Sequence, residues 1–278
     1  MVTADTTAAS LSAEGLAALC QLIYQDSGIV LNESKRYLLE MRLKPVAEAH
    51  GLASLNQLSQ LIRLDRALRR QTVEAMTTNE SLFFRDTSPF EALRATIIPE
   101  LLERRAQSRR LSIWCAACSS GQEPYSLAML LAETVPQQDF WKIEILATDI
   151  SEAMLGRARQ GRFMQLEVNR GLPVQSLVKY FERDHLEWVL KPAIRAAVSF
   201  RQFNLMDDMR RLGPFDLVLC RNVLIYFDTP LKTKILAGIR FVLAPDGYLL
   251  LGSAETVFHL DEHYERKSIG KATFYQVV

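Results

Sequence analysis

Three segments of the sequence carry residue types that could do chemistry together, and each closes or follows an apolar run. The first is Ala116-Ala117-Cys118-Ser119-Ser120-Gly121-Gln122-Glu123-Pro124, at the end of LSIWCA. A turn of small residues between a strand and a helix lets the backbone approach a ligand, and the helix N-terminus offers outward amides. The spacing is not that of a dinucleotide fingerprint. The second segment, Thr148-Asp149-Ile150-Ser151, ends the run KIEILATD. A carboxylate at that tip is placed to accept hydrogen bonds from the two hydroxyls of a ribose. The third, Cys220-Arg221-Asn222-Val223-Leu224-Ile225-Tyr226-Phe227-Asp228, follows the apolar strand FDLVL. Polar strand ends converging on one edge of a parallel sheet make the crevice of a nucleoside site. Each segment also has a plain structural use. The first is a tight strand-to-helix turn. Asp149 is an N-cap for the helix that follows, unless Ser151 fills that position, and Asn222 is a turn cap with Arg221 paired to Asp228.

The elements that must position these residues fall into two regions. Residues 11–90 read as helices only: LAALCQLIYQDSG stopping at Gly28, NESKRYLLEMRLKPVAEAHG capped by Asn32 and stopping at Gly51, LNQLSQLIRL opened by Ser54, and RALRRQTVEAM. Pro45 predicts a kink or break in the second. From residue 111 strands alternate with helices: LSIWCA, EPYSLAMLLAETV, KIEILATD, SEAMLGRARQG, AVSFRQFNL, FDLVLCRN, PLKTKILAGIRFVL, a turn at Pro245-Asp246-Gly247, YLLLGS and ATFYQVV. That alternation predicts right-handed crossovers and a mostly parallel sheet covered on both faces. Residues 160–198 break the rhythm with short strand-like pieces such as LEWVL, and read as a small insertion.

Composition limits the chemistry. The chain has 278 residues, long enough for two domains, with 33 basic and 32 acidic side chains. Such a balance argues against a protein held mainly by phosphate backbones, so no nucleic-acid partner is expected. Cys115 and Cys118 form a lone CxxC without a second pair or a suitably spaced histidine, which speaks against zinc, and no metal is expected. No disulfide framework is apparent among the four cysteines, so a reducing compartment is expected. The first ten residues lack a signal-peptide core, and no apolar run approaches the roughly 18 residues of a membrane span. A soluble, cytoplasmic protein without membrane insertion follows as the expectation.

TTNESLFFRD at 77–86, AACSSGQEPYSLA, ATDIS, FNL, CRNVLIYF and LLLGSAE together closely resemble the chemotaxis receptor glutamate O-methyltransferase family. TTNE-x-x-FFR followed by CRN-x-x-IYF is the specific part, and the likeness runs from about residue 22 to the end. The resemblance implies an α/β fold: a Rossmann-like S-adenosylmethionine-dependent methyltransferase sheet, an all-α N-terminal domain and a small antiparallel β insertion. The domains would be residues 1–90, including a linker to the cofactor site, and 91–278, with the insertion at 160–198. The last strand would be inserted antiparallel. Carried over by motif, the S-adenosylmethionine site would comprise Asn79, Ser81 and Arg85 from the linker and Ala116 and Glu123 around the first turn. Asp149 would hold the ribose, Asn204 and Leu205 would flank the adenine, and Arg221 and Asn222 would line the methionine end. Ser81 stands where the family commonly has threonine, and keeps the hydroxyl.

The implied reaction transfers a methyl group from S-adenosylmethionine to a glutamate carboxylate and leaves S-adenosylhomocysteine. A glutamate is already ionised near neutral pH, so no general base is required; this suits a chain with four histidines, none inside the motifs. Arg221 or Arg85 would steer the acceptor carboxylate, and Tyr226 would orient it or pack on the sulfonium methyl, unless it is a core residue. The partner would be the cytoplasmic helical domain of methyl-accepting chemoreceptors, met by a basic face carrying Lys35, Arg36, Arg42 and Lys44. Members that grip a receptor C-terminal pentapeptide carry a glycine-containing loop in the insertion. Here Glu182-Arg183-Asp184-His185-Leu186-Glu187-Trp188 has no glycine, so pentapeptide capture is not expected. A monomer is expected. The competing readings are a nucleic-acid methyltransferase, disfavoured because CRNVLIYF stands where an Asp/Asn-Pro-Pro-Tyr/Phe motif would be, and a non-enzymatic cofactor-sensing scaffold.

Overall fold

The computed structural model describes residues 11–135 and 140–278, and the chain forms two compact units. The helical unit runs up to Thr78 and includes Tyr226–Asp228. Its helices are α1 (Ala13–Ser27), α2 (Arg36–Ala49), α3 (Leu55–Leu61) and α4 (Arg66–Met76). Leu16, Leu19, Leu22 and Ile23 of α1 are buried, as a helical stripe requires. Ser12 caps α1 through Gly15 N–H, and Asp65 caps α4 through the amides of Ala67 and Leu68. Gly15 has to be small, because a Cβ there would lie 2.6 Å from Asn56 Oδ1. Asp228 accepts from Tyr24 Oη at 2.7 Å, and Tyr226 C=O from Val30 N–H at 3.0 Å. The motif CRNVLIYF is thereby divided: Ile225 belongs to the sheet unit and Tyr226 to the helical one.

Two details of α2 bear on the sequence reading. Asn32 precedes a short 3₁₀ turn, Glu33–Lys35, without a side-chain cap, and its Oδ1 accepts from Ser34 instead; α2 starts at Arg36. Pro45 lies within α2 without ending it, and its exposed position leaves water access to the carbonyl it cannot satisfy. The basic residues of this helix have divergent tasks. Arg42 Nη1 donates to Met76 O and Thr77 O, both at 2.9 Å, closing the last turn of α4. Arg36 binds Glu33 and Leu11 O, and Lys35 binds Val30 O. Lys44 is exposed, with Glu48 at 3.9 Å. Tyr37 and Met41, at 76% and 50% exposure, lie at helical spacing from Lys44.

The sheet unit holds residues 79–225 and 229–278. It opens with α5 (Ser88–Ala92) and α6 (Ile98–Arg104), joined by a π turn. Then follow β1 (Arg110–Ala116), α7 (Gln122–Thr134), β2 (Lys142–Asp149) and α8 (Glu152–Gln160). The insertion comprises β3 (Arg162–Met164), α9 (Gln165–Asn169), α10 (Val174–Tyr180), β4 (Phe181–Asp184), β5 (Glu187–Leu190) and α11 (Pro192–Ala196). The core resumes with β6 (Val198–Gln202), β7 (Phe215–Cys220), α12 (Thr229–Val242), β8 (Leu243–Leu251), β9 (Tyr264–Ile269) and β10 (Ala272–Val277). The main sheet has the order β6-β2-β1-β7-β8-β10-β9, parallel through β8 and antiparallel beyond it. The insertion adds a three-stranded antiparallel sheet, β3-β5-β4. All six residues of β7 are buried, as a central strand covered on both faces demands.

The expected turn at Pro245-Asp246-Gly247 is a register shift within β8 rather than a free turn: Phe215 faces Leu243, and Leu217 faces Tyr248. A Cβ on Gly247 would come within 2.9 Å of Asp216 O. Arg105 ties this end of the sheet together, donating to Asp216 and to both oxygens of Asp246, which holds the Asp246 carboxyl below the usual range. β9 had no sequence signal: four of its six residues, Glu265, Arg266, Lys267 and Ser268, are polar, as suits an edge strand.

Arg42→Ala removes charged hydrogen bonds to the end of α4 and is expected to lower the unfolding free energy by about 1–3 kcal/mol. Lys44→Ala should stay within about 0.5 kcal/mol of the parent. Denaturant titration of the two variants checks this, and equal losses would show that Arg42 is not the structural one.

Candidate active site

Strand register puts the motif residues in a row. Leu251 faces Cys220, Cys220 faces Ala116, Ala116 faces Thr148, and Thr148 faces Arg201. The residues just beyond each pair therefore emerge at the carboxyl edge of five adjacent strands, where open parallel sheets bind ligands. Asn204 and Leu205 follow β6 there; Asn204 Oδ1 accepts from Met206 N–H and Leu205 is buried.

The turn after β1 is held in an unusual backbone conformation. Ala117, Ser119 and Gly121 have φ of 53°, 51° and 92°. Cys118 N–H donates to Thr148 O, Ser119 N–H to Asp149 Oδ2 at 2.8 Å, and Ser119 Oγ to Asn79 O. Gly121 is needed for a reason other than ligand approach: a Cβ would meet Ala158 at 3.0 Å and the Tyr125 ring at 3.1 Å. The Cys115 and Cys118 thiols are buried, and desolvation pushes both well above the ordinary range, so neither provides a thiolate. Among the described residues no group of three or more His, Cys, Asp or Glu could hold a metal ion.

Asp149 and Ser151 divide their possible tasks. Ser151 Oγ accepts from Met154 N–H and caps α8. The Asp149 carboxylate, 6% exposed as a residue, accepts from Ser119 N–H and Ser151 N–H instead. It thus braces the first turn from the tip of the second strand, a role additional to the two that the sequence offered.

Arg221 is the most constrained side chain in the crevice, with 1% exposure. Its Nη1 donates to Glu123 Oε2 at 2.6 Å, and its Nη2 to Asp86 Oδ2 at 2.9 Å and Arg85 O at 3.0 Å. A guanidinium flanked by two carboxylates has little attraction left for a third, so Arg221 is a poor candidate for steering an acceptor carboxylate. Its partners are also not Asp228, the alternative that sequence proximity suggested. The residue that the sequence reading missed is Asp86; its only signal was its place at the end of TTNESLFFRD. Arg221 Nε is buried and has no acceptor among the described residues.

The linker reaches the crevice because its aromatic pair is anchored. Phe83 is fully buried against Phe163 and Phe181, with ring centroids 4.9 and 5.7 Å away. Gly171 presses on its backbone: a Cβ there would fall 2.1 Å from Phe83 O. Phe84 N–H donates to Ser126 Oγ, and Phe84 and Asp86 both adopt left-handed φ. Asn79 and Ser81 are half-buried on this strip, and the Arg85 guanidinium has no hydrogen bond or ion pair among the described residues.

Residues 79–273 match the family model for the CheR methyltransferase, SAM binding domain, and residues 14–77 match that for the CheR methyltransferase, all-alpha domain. The chain belongs to the CheR methyltransferase family. Chemotaxis protein methyltransferase 1 of Pseudomonas aeruginosa is 45% identical over 254 residues, covering 90% of this chain and 92% of that protein. Chemotaxis protein methyltransferase Cher2 of Pseudomonas putida is 44% identical over 256 residues, with the same coverage of 90% and 92%. A chemotaxis protein methyltransferase of Vibrio parahaemolyticus is 39% identical over 276 residues, covering 98% and 99%. The CheR fold accounts for the mostly parallel sheet, the helical unit and the small antiparallel sheet. S-adenosylmethionine is the cofactor of this family's sheet domain, and the crevice fits it. The Glu123–Arg221–Asp86 group sets two carboxylates around one guanidinium at the crevice, a net negative setting suited to a sulfonium.

Arg221→Ala strands the Glu123 carboxylate and is expected to cost about 3–5 kcal/mol of stability. The pair Arg221→Met with Glu123→Gln should recover most of that loss, because a neutral packed pair replaces a desolvated ionic one. Binding of S-adenosylhomocysteine should stay weak in both. Calorimetry and denaturant titration read the two quantities separately, and a double variant that regains cofactor affinity would contradict the role given to these charges.

Proposed function

We propose that this protein transfers the methyl group of S-adenosylmethionine to glutamate side chains of methyl-accepting chemoreceptors, as a protein-glutamate O-methyltransferase of chemotaxis adaptation. What carries the reading is the single row of strand ends leading to Asp149, Asn204, Arg221 and Asn222, closed by the linker that bears Asn79, Ser81 and Arg85, within a CheR methyltransferase chain.

In this reading Asp149 holds the ribose, Asn204 and Leu205 flank the adenine, and Glu123, Arg221 and Asn222 line the methionine end beside Ala116. Asn79 and Ser81 contact the cofactor from the linker. The bound cofactor supplies an electrophilic methyl on a positively charged sulfur. The protein's share is to align the acceptor and exclude water from an ionised carboxylate and a sulfonium. Glutamate arrives as a carboxylate at neutral pH, so no residue needs to remove a proton. His50, His185, His259 and His263 are all exposed. Arg85, whose guanidinium has no hydrogen bond or ion pair among the described residues, is the cation assigned to the acceptor carboxylate in place of Arg221.

The helical cytoplasmic domain of a chemoreceptor is the proposed partner. Arg42 and Arg36 are occupied within the helical unit, which leaves the exposed Lys44, Tyr37 and Met41 of α2 as the contact surface. The hairpin of the insertion, 182–188, engages its own polar groups: Arg162 binds Asp184 and Glu187, and Arg183 lies over Trp188. That supports a subdomain without a pentapeptide grip. Among the described residues no helix is long and apolar enough to cross a membrane. A cytoplasmic location accords with the free, buried Cys115, Cys118 and Cys220.

Incubation with labelled S-adenosylmethionine and receptor-bearing membranes should place a base-labile label on receptor glutamates. Label that resists base would indicate N-methylation, and no label would overturn the activity. Lys44→Glu should raise KM for receptor severalfold with cofactor affinity unchanged. For Tyr226→Phe the expected outcome is a kcat lowered by about tenfold or more, equivalent to about 1.4 kcal/mol, with cofactor affinity retained. Unchanged turnover would make Tyr226 a packing residue.

A further inference from the structure

Glu255 closes the motif LLLGSAE and lies in the loop after β8, yet its carboxylate points back to the loop after β7. Its Oε2 accepts from Asn222 N–H and from Gly252 N–H, both at 2.7 Å, and its Oε1 from Ile225 N–H at 3.3 Å. Glu255 N–H in turn donates to Gly252 O at 2.9 Å. One carboxylate thus gathers amides from two adjacent strand ends, a charge-assisted arrangement stronger than neutral turn bonds. What it gathers is an uncommon backbone: Asn222 has φ of 58°, a left-handed conformation that asparagine tolerates better than most residues and that the Glu255 carboxylate holds in place. Space is also tight. A Cβ at Gly252 would lie 2.7 Å from Glu255 Oε2, 2.8 Å from Asn222 Nδ2 and 2.9 Å from Asn222 N. Glu255, Gly252, Arg221 and Asp86 share the wall of one cavity of about 840 Å³.

We propose that Glu255 is a positioning residue for methyl transfer, holding the Asn222 turn in the left-handed form that aligns the Arg221-Asn222 pair toward the cofactor. The inference rests on the reading that this pair lines the methionine end. Glu255 acts through Asn222 and touches neither donor nor acceptor. Gly252 is the required companion, because any side chain there would displace the carboxylate or the Asn222 amide.

Glu255→Gln keeps the shape and replaces one acceptor oxygen with an N–H₂ donor that faces backbone N–H groups. Calorimetry with S-adenosylhomocysteine should show Kd raised about tenfold, with KM for receptor unchanged at saturating cofactor. Gly252→Ala should raise Kd in the same direction. Asp246→Asn serves as a matched control, since it weakens an ion pair at the opposite edge of the sheet and should leave Kd unaltered. Parental affinity in folded Glu255→Gln would overturn the inference alone. An equal rise in Asp246→Asn would overturn it as well, by showing general destabilisation. Failure of the parent protein to bind would overturn the cofactor reading itself and the inference with it.

Discussion

The crevice depends on one buried cation. Arg221 leaves the end of the central strand β7 and binds Glu123 on α7, and Asp86 and the Arg85 carbonyl on the linker. Three segments distant in sequence are thereby fixed to one guanidinium, whose planar fork can serve several acceptors at once. Removing this side chain from water is costly, and the two carboxylates offset that cost through short, charge-assisted bonds. The outcome is geometric definition more than stability. It is also an electrostatic setting: with two negative charges around one positive, the surroundings favour a bound cation over a bound anion.

Backbone strain gathers around the same point. Five of the eight described non-glycine residues with left-handed φ, Phe84, Asp86, Ala117, Ser119 and Asn222, lie in the linker or in the turns at the strand tips. For Phe84, Ala117 and Ser119 this costs of order 1–2 kcal/mol each, less for Asp86 and Asn222, whose short polar side chains tolerate the region. The supports are visible: Asp149 accepts from Ser119 N–H, Thr148 O from Cys118 N–H, Glu255 from Asn222 N–H, and Ser126 Oγ from Phe84 N–H. Asp149 and Glu255 apply the same device at different strands, a carboxylate on one turn bracing the amide of its neighbour. Buried β-strands in register supply the rigid base that makes these turns reproducible.

What the sequence reveals follows how local the cause is. β1, β2 and β7 are short apolar runs, and their polar ends are legible because period and composition change over two or three residues. Ser151 as the cap of α8 belongs to the same class, since a cap acts within three residues. Asp86, Glu255 and the role of Arg42 were not legible, because their partners are far off in the chain: Arg221, Asn222 and the end of α4. Arg221 was found by motif, but its pairing was not, since only the fold reveals that Glu123 and Asp86 have already claimed it. β9 was lost for the converse reason: an edge strand faces water, so its charged residues resemble a loop. Asn32 shows that a good capping residue is not a cap unless the helix starts beside it.

The distribution of charge also constrains how an acid acceptor can be recognised. A carboxylate approaching the Glu123–Arg221–Asp86 group meets a net negative charge, so that group opposes the acceptor while favouring a sulfonium. Charge discrimination between donor and acceptor then needs a second cation that the protein does not neutralise. Arg85 meets that condition: it adjoins Asp86 in the chain, its own carbonyl is fixed by Arg221, and its guanidinium has no hydrogen bond or ion pair among the described residues. Fixing the backbone of Arg85 while leaving its side chain available separates two functions within one residue. The peptide unit helps define the crevice, and in the proposed reading the guanidinium answers the acceptor carboxylate. A salt-bridged arginine would provide the first function alone, and a mobile surface arginine neither, because its position would vary by more than the tolerance of an aligned transfer.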